Sequence, residues 1–101
     1  MLCRSSQELS AGLIRDFIAR QFKVSVQDMR SKSRKKTIAF PRQVSMYLAR
    51  KYTEQGLAEI GKAFNRDHST VLHSVRVISD AISRNGSIRG QVKLLAEKLK
   101  K

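Results

Sequence analysis

The sequence predicts an all-α domain of about six helices that contains a helix-turn-helix. Apolar residues recur at spacings of three and four along most of the chain, which is the period of an amphipathic helix. Polar breaks containing glycine, proline or asparagine separate these segments, and none of them alternates as a strand would. With 101 residues, the chain can build one hydrophobic core but not two.

The whole chain is therefore expected to be a single domain with five segments. Residues 1–5 are expected to be disordered or foreign to the protein. The rest divides into N-terminal helices (6–30), an exposed basic segment (31–39), a basic helix followed by the helix-turn-helix (40–82), and a C-terminal helix (87–100).

The outer helices are predicted from their apolar stripes. The first covers residues 6–22, with Ser6 as N-cap and an Asp16–Arg20 surface pair. Its buried stripe is expected to contain Leu9, Leu13, Ile14, Phe17 and Ile18. A short second helix, capped by Ser25, should turn Val26 and Met29 inward. After a polar break at Asn85 and Gly86, the last helix should bury Ile88, Val92, Leu95 and Leu99.

Charge is the most informative feature of the composition. Lys and Arg number 21 against 8 Asp and Glu, a formal net charge of +13, which suits nucleic acid or an anionic membrane as partner. From Met29 through Thr53 there is no acidic residue. The basic ones in this tract are Arg30, Lys32, Arg34, Lys35, Lys36, Arg42, Arg50 and Lys51. A solvated face is the usual explanation, but this tract leads into a basic helix, which favours phosphate or minor-groove contact.

Other features of the composition exclude several classes of protein. Cys3 is the only cysteine and cannot form an internal disulfide. No apolar run has the length of a membrane span, and the N-terminus lacks the apolar region of a signal peptide. We therefore expect a cytoplasmic protein without membrane insertion. Because the chain has no Trp and few other aromatics, base stacking is not the expected binding mode.

The basic helix is predicted to begin at Pro41, which fits a first turn because its missing N–H costs nothing there. Its buried residues are expected to be Val44, Tyr52 and either Tyr47 or Leu48. The residues expected to remain available to solvent or a ligand are Arg42, Gln43, Arg50 and Lys51.

The stretch Leu57–Ile82 is predicted to form the helix-turn-helix. Its first helix should follow Gly56 as cap, and Asn65 suits the left-handed position that ends it. Asp67 suits the N-cap of the second helix, which such motifs lay in the DNA major groove. The apolar stripes of the two helices are Leu57, Ile60 and Phe64, and then Val71, Val75, Ile78 and Ile82.

The first turn of the second helix carries side chains suited to reading base edges. Ser69 and Thr70 can bond phosphate or base through their hydroxyls. His68 can project past the helix end toward a base, or it can cover part of the core. Asp67 either caps its own helix or accepts a hydrogen bond from a cytosine amino group, and capping is the simpler explanation.

The sequence does not predict any of three kinds of chemical site. Residues 56–62, GLAEIGK, have P-loop spacing, but Ala63 replaces the magnesium-binding Ser or Thr and no strand precedes them. Gly61 is expected instead to let two helices cross closely. His68 and His73 are five apart and have no second cysteine to complete a metal site. A Ser69–His73 pair lacks an orienting acid. No catalytic, cofactor or metal site is expected, and the protein is not expected to be an enzyme.

The run IGKAFNRDHSTVLHSV, residues 60–75, resembles the signature of the DnaA family of bacterial chromosomal replication initiators, in its C-terminal DNA-binding domain. SKSRKKTIAFPRQVSMYLARKYT, residues 31–53, resembles the basic loop and helix that precede that signature. The similarity covers about residues 12–99. It implies a six-helix domain that binds the short asymmetric DnaA box, consensus TTATNCACA, at replication origins.

The resemblance also implies DNA-contacting positions. Arg34 matches an arginine that enters the minor groove, and Asp67, His68 and Ser69 match residues that read bases in the major groove. Positions that hold or border the DNA backbone are Arg42, Gln43, Arg50 and Thr70. Leu57 and His73 match positions near the DNA. The nucleotide-binding domain of full-length members, which binds ATP or ADP and magnesium, is not in this sequence, so no cofactor and no ATP hydrolysis are expected here.

The leading hypothesis is sequence-specific binding of double-stranded DNA by a monomer, on the bacterial nucleoid. A second hypothesis is a protein-interaction module whose helices dock regulators of replication initiation, with the basic surface serving solubility. A third is a small stand-alone transcriptional repressor with the same fold. A gel shift with box and scrambled duplexes separates the first hypothesis from the second.

Overall fold

The computed structural model describes residues 9–33 and 35–99. Within them the chain folds into six α-helices without a strand, which confirms the predicted all-α class with a helix-turn-helix. The helices are α1 (Ala11–Phe22), α2 (Val26–Met29), α3 (Lys36–Tyr52), α4 (Leu57–Ala63), α5 (His68–Arg84) and α6 (Gly86–Leu99). Arg34 and the segment 1–5 lie outside the described residues, so the expectations about them stay predictions.

Helix α3 is the centre of the domain. It packs most extensively against α1 and α5, and α4 packs against α5 to form the helix-turn-helix. The fully buried core draws on five of the helices, with Ile14, Ile18, Met29, Val44, Met46, Leu48, Ile60, Phe64, Val71 and Ile78. Leu48 is thus the buried member of the Tyr47–Leu48 alternative, while Tyr47 is half-buried.

Helix α1 begins later than the sequence predicted. Its N-cap is Ser10, whose extended backbone precedes the helix and whose Oγ accepts a hydrogen bond from the Leu13 N–H at 3.2 Å. The predicted cap, Ser6, is wrong, and that residue lies outside the described part of the chain.

The predicted apolar stripe of α1 was wrong at one position. Ile14 and Ile18 are completely buried, but Leu13 is 55% exposed. Successive residues of a helix differ by about 100° in direction, so a stripe centred on Ile14 and Ile18 leaves Leu13 at its edge. Leu9 and Phe17 pack against the core and are half-buried.

Arg15 makes a link that the sequence did not predict. Its guanidinium donates to the Ala63 carbonyl at the end of α4, at 2.7 Å, and pairs with Asp16 at 3.0 Å. Asp16 was expected to pair with Arg20 one turn later, and that prediction was wrong. The link joins α1 to the end of the first helix of the helix-turn-helix.

Helix α2 has the predicted cap. Ser25 Oγ accepts a hydrogen bond from the Asp28 N–H at 2.9 Å. Met29 is fully buried as expected, whereas Val26 is 36% exposed, so its predicted inward position was wrong. Val26 and Met29 share a face at a spacing of three, but Val26 is the first residue of this one-turn helix, so it lies at the helix end and stays partly exposed.

The start of α3 also differs from the prediction. The helix begins at Lys36, so residues 36–39 of the predicted basic segment 31–39 are helical. The described residues that precede it, 30–33 and 35, are called here the α2–α3 loop. Pro41 lies inside the helix and not in its first turn. The Pro41 ring is buried in the core. The helix loses one backbone hydrogen bond there, because proline has no N–H to donate.

The corner of the helix-turn-helix follows the predicted helix-end rules. Asn65 adopts the left-handed conformation, with φ 57°, and Asp67 is the N-cap of α5. Gly56 is the N-cap of α4. The carbonyl of Gly61 accepts a hydrogen bond from the Arg66 N–H at 2.8 Å. Gly61 therefore leaves room for the backbone of the turn at Arg66 and Asp67. The prediction that it lets two helices cross closely was wrong.

The C-terminal helix completes the core. Asn85 breaks the chain between α5 and α6, as predicted, and its Oδ1 accepts hydrogen bonds from the N–H groups of Ser87 and Ile88 at 2.9 and 3.3 Å. Val92 and Leu95 are buried. None of the described helices combines the length and the apolar character of a membrane span.

Candidate nucleic-acid interface

The first turn of α5 projects into solvent. His68 and Ser69 are exposed, Thr70 is half-buried, and Val71 immediately after them is fully buried. The alternative in which His68 covers the core is therefore wrong. His73, one and a half turns further along, is also exposed.

Asp67 is fixed at the end of this turn. Its Oδ1 accepts a hydrogen bond from the Thr70 N–H at 2.9 Å, so the capping interpretation of this residue is confirmed. The Thr70 N–H is the main cause that lowers the pKa of the Asp67 carboxyl, because the bond favours the charged form. The cap orients the turn that carries His68 and Ser69.

The cap leads to a prediction about acid stability. Asp67→Ala should lower the melting temperature at neutral pH, whereas Asp67→Asn should keep much of the cap, because an amide oxygen also accepts the bond. Since folding lowers the pKa of Asp67, its stabilising effect is complete above the ordinary aspartate pKa of about 3.9. The stabilising effect of Asp67 is lost as the pH falls through its lower pKa in the folded state.

Thermal melting of the wild type and Asp67→Asn across this pH range measures the effect. The melting temperature of the wild type should exceed that of Asp67→Asn at neutral pH, and the two should converge in acid. A difference that does not change with pH would contradict the assigned cause.

The candidate DNA-contacting residues on α3 and α4 differ in their solvent exposure. Arg50 is exposed, and Gln43 is half-buried. Lys51 is exposed, and its Nζ lies 5.8 Å from the ring centroids of both Tyr47 and Tyr52. Leu57, the first residue of α4, is half-buried against the core.

Arg42 differs most from expectation. It is only 8% exposed, and it donates from Nη1 to the Ser31 carbonyl at 3.0 Å and from Nη2 to the Ser33 carbonyl at 2.8 Å. Burial lowers the pKa of its guanidinium, and the neighbouring Arg66 lowers it further. The expectation that Arg42 stays available to a ligand was wrong, because the central helix α3 buries more than one face. A contact of Arg42 with the DNA backbone stays a prediction.

Arg66 makes a contact that the sequence does not predict. It lies in the turn between α4 and α5, and its Nη2 donates to the same Ser31 carbonyl at 2.6 Å. Its Nε is buried without a hydrogen-bond partner. Helical periodicity says nothing about a turn residue, so only its position directly before Asp67 could have drawn attention to it.

The comparisons with known proteins agree with this geometry. The family model described as "Bacterial dnaA protein helix-turn-helix" matches residues 12–78. The chain belongs to this family. The resemblance noted in the sequence is thereby confirmed, and membership of the DnaA helix-turn-helix family implies DNA binding in replication initiation.

The DnaA relatives contain most of this chain. The chromosomal replication initiator protein DnaA of Desulfotalea psychrophila is 58% identical over 95 residues, which span 94% of this chain and 20% of that protein. The same protein of Desulfatibacillum aliphaticivorans is 44% identical, over 97% of this chain and 22% of the relative. The chain therefore spans about a fifth of the length of these DnaA relatives.

A solved structure supports the same fold. The crystal structure of a DNA replication initiation factor superposes with a TM-score of 0.79 at 33% sequence identity. The match covers 88% of this chain and 27% of the other. Among residues 9–33 and 35–99, no group of three or more His, Cys, Asp or Glu side chains could hold a metal ion. The expectation that this DnaA domain has no catalytic, cofactor or metal site stays a prediction.

Proposed function

We propose that this chain binds duplex DNA sequence-specifically, at DnaA boxes of a bacterial replication origin. In this proposal α5 enters the major groove with Asp67, His68 and Ser69 at base edges, and Arg34 enters the minor groove. The observation that carries the proposal is the exposed first turn of α5, held by the Asp67 cap, in a member of the DnaA helix-turn-helix family.

An acidic residue at a DNA surface repels phosphates, and the cap is a reason for Asp67 to lie there. Oδ1 of Asp67 caps its own helix through the Thr70 N–H, and a carboxylate has a second oxygen that can accept a hydrogen bond from a cytosine amino group. His68 and Ser69 then carry the donors and acceptors that face outward. A neutral or protonated imidazole can bond to a base edge, and a hydroxyl can bond to a base or a phosphate.

In this proposal, the basic surface around α5 binds the DNA phosphates. The net charge of +13 supplies a field that attracts DNA irrespective of sequence. Arg50 and Gln43 on α3 and Thr70 on α5 are the proposed backbone contacts, with Leu57 and His73 nearby. Such contacts position the protein, and the base contacts specify the site.

His68→Ala should separate these two roles. The variant should lose about 1–3 kcal/mol of affinity for a DnaA box and much less for a scrambled duplex, because only base contacts carry sequence information. Arg50→Ala is the matched control, since a lost phosphate contact weakens both duplexes alike. Titration of both variants with both duplexes by fluorescence anisotropy measures the difference. Equal losses on the two duplexes for His68→Ala would contradict its reading role.

We propose further that the chain acts as a monomer in the cytoplasm, on the nucleoid, and without catalysis. Binding of ATP or ADP with magnesium is assigned to the part of DnaA relatives that this chain does not match. Proteins that regulate replication initiation form a second class of partner, and they would dock in addition to DNA.

A further inference from the structure

Two arginine side chains meet at the α2–α3 loop. Arg42, from α3, donates to the carbonyls of Ser31 and Ser33 at 3.0 and 2.8 Å. Arg66, from the corner of the helix-turn-helix, donates to the same Ser31 carbonyl at 2.6 Å. Three parts of the chain that are far apart in sequence are joined at one carbonyl oxygen.

The other side-chain hydrogen bonds among the described residues of this loop are local. Ser31 Oγ donates to the Asp28 carbonyl at 2.7 Å and accepts from the Ser33 N–H at 3.2 Å. The Lys35 N–H donates to Ser33 Oγ at 3.3 Å. These bonds shape the loop but do not fix it to the rest of the molecule. The two arginines supply that connection.

The arrangement is electrostatically costly. Both guanidinium groups donate to backbone carbonyl oxygens, which carry no full negative charge. Their mutual repulsion contributes to the lowered pKa of Arg42, and the Nε of Arg66 is buried without a partner. A like charge beside the buried Arg42 and a buried N–H donor without a partner both oppose folding. Stability alone therefore does not explain why an arginine lies at position 66.

We propose that Arg66 is a positioning residue for sequence recognition. It fixes the α2–α3 loop to the helix-turn-helix, so that the two contact the DNA in a fixed relative position. The inference rests on the proposed function. Arg66 directly precedes Asp67, the N-cap of α5, so its side chain ties the loop to the base of the reading turn. A loop that is fixed before binding loses less conformational entropy when it enters a groove.

Arg66→Gln is the informative substitution. It shortens the side chain and removes its charge, while the Ser31 carbonyl keeps its bond to Arg42. The repulsion between the guanidinium groups disappears as well, so the fold should persist. Arg66→Lys keeps the charge and one donor group. Lys62→Gln is the control. Lys62 is an exposed cation beside the same corner, and this substitution also removes one positive charge.

The experiment compares affinities for the DnaA box and for variants of it with one base pair changed. Arg34→Ala and His68→Ala first define which base pairs depend on the loop and which on α5. Arg66→Gln should weaken binding to the box about tenfold and should lose discrimination at the base pairs that depend on the loop. Discrimination at the base pairs that depend on α5 should persist. Arg66→Lys should restore part of the lost discrimination.

Amide hydrogen exchange of the free protein gives an independent readout. The Ser33 and Lys35 N–H groups should exchange about tenfold faster in Arg66→Gln than in the wild type. In Lys62→Gln their exchange rates should equal those of the wild type. A uniform loss of affinity on every duplex, like that of Lys62→Gln, would overturn the inference, as would unchanged exchange. If the wild type does not prefer the box, the proposed function fails, and the exchange rates alone then decide whether Arg66 fixes the loop.

If Arg66→Gln does not fold, Arg66→Lys takes its place in both measurements. Its single ammonium group cannot reproduce the guanidinium geometry, so a smaller loss at the same base pairs is expected. Equal discrimination by Arg66→Lys and the wild type, together with equal exchange, would then overturn the inference.

Discussion

Gly61→Ala is expected to destabilise the domain by roughly 2–4 kcal/mol, at or above the usual cost of overpacking. A Cβ atom at this position would overlap the Arg66 carbonyl oxygen and would lie 3.3 Å from the Asp67 carbonyl oxygen. Both are backbone atoms of the turn, and the turn is held by the bond from the Arg66 N–H to the Gly61 carbonyl. No side chain can rotate away, so the corner itself must shift.

Urea unfolding monitored by circular dichroism measures this effect. Gly90→Ala is the matched control, because Gly90 lies in α6 and has no heavy atom within 4 Å of an added Cβ. That substitution should stabilise the protein by about 0.5–1 kcal/mol through helix propensity. If the two substitutions change the free energy of unfolding alike, the turn does not pack against Gly61 as described.

The affinity for DNA is expected to fall roughly 10³-fold when the salt concentration rises from about 50 to about 200 mM. The reason is counterion release, since roughly five to eight Lys and Arg side chains should neutralise phosphates, each adding about −0.9 to the slope of log affinity against log salt. The net charge of +13 and the acid-free tract from 29 to 53 support this number of contacts.

Anisotropy titrations at several salt concentrations give this slope. Arg50→Ala should reduce its magnitude by about one, because Arg50 is an exposed cation on α3 and a proposed phosphate contact. A slope near zero in the wild type would contradict the phosphate grip. It would favour the protein-interaction module, in which the basic surface serves solubility.

The elements of the fold that could be predicted are those fixed by local chemistry. Asn65 tolerates the left-handed conformation, and Asp67 can bond the N–H three residues later, so the corner and the start of α5 follow from residue types alone. The apolar stripe of α5 places Val71 and Ile78 inside, and the exposure of Ser69 follows from it.

The errors arose where tertiary packing overrides local preference. Pro41 suits a first turn, yet α3 begins five residues earlier, and Phe40 in that extension packs against Phe22 and the core. Arg42 carries a charge but shares helical spacing with the buried residues Met46 and Ala49. Its burial could have been suspected from that spacing, but its partners in the α2–α3 loop could not. Contacts across the fold, such as that of Arg66, are not encoded in any local pattern.

The proposed box reading can be tested most directly with the wild-type chain and two duplexes. One carries TTATNCACA with a single base chosen for N, and the other has the same composition in scrambled order. At moderate salt, the box duplex should bind about 10³-fold more tightly, the lower end of the range for specific over non-specific recognition. Equal affinities for the two duplexes would contradict sequence-specific binding by this domain.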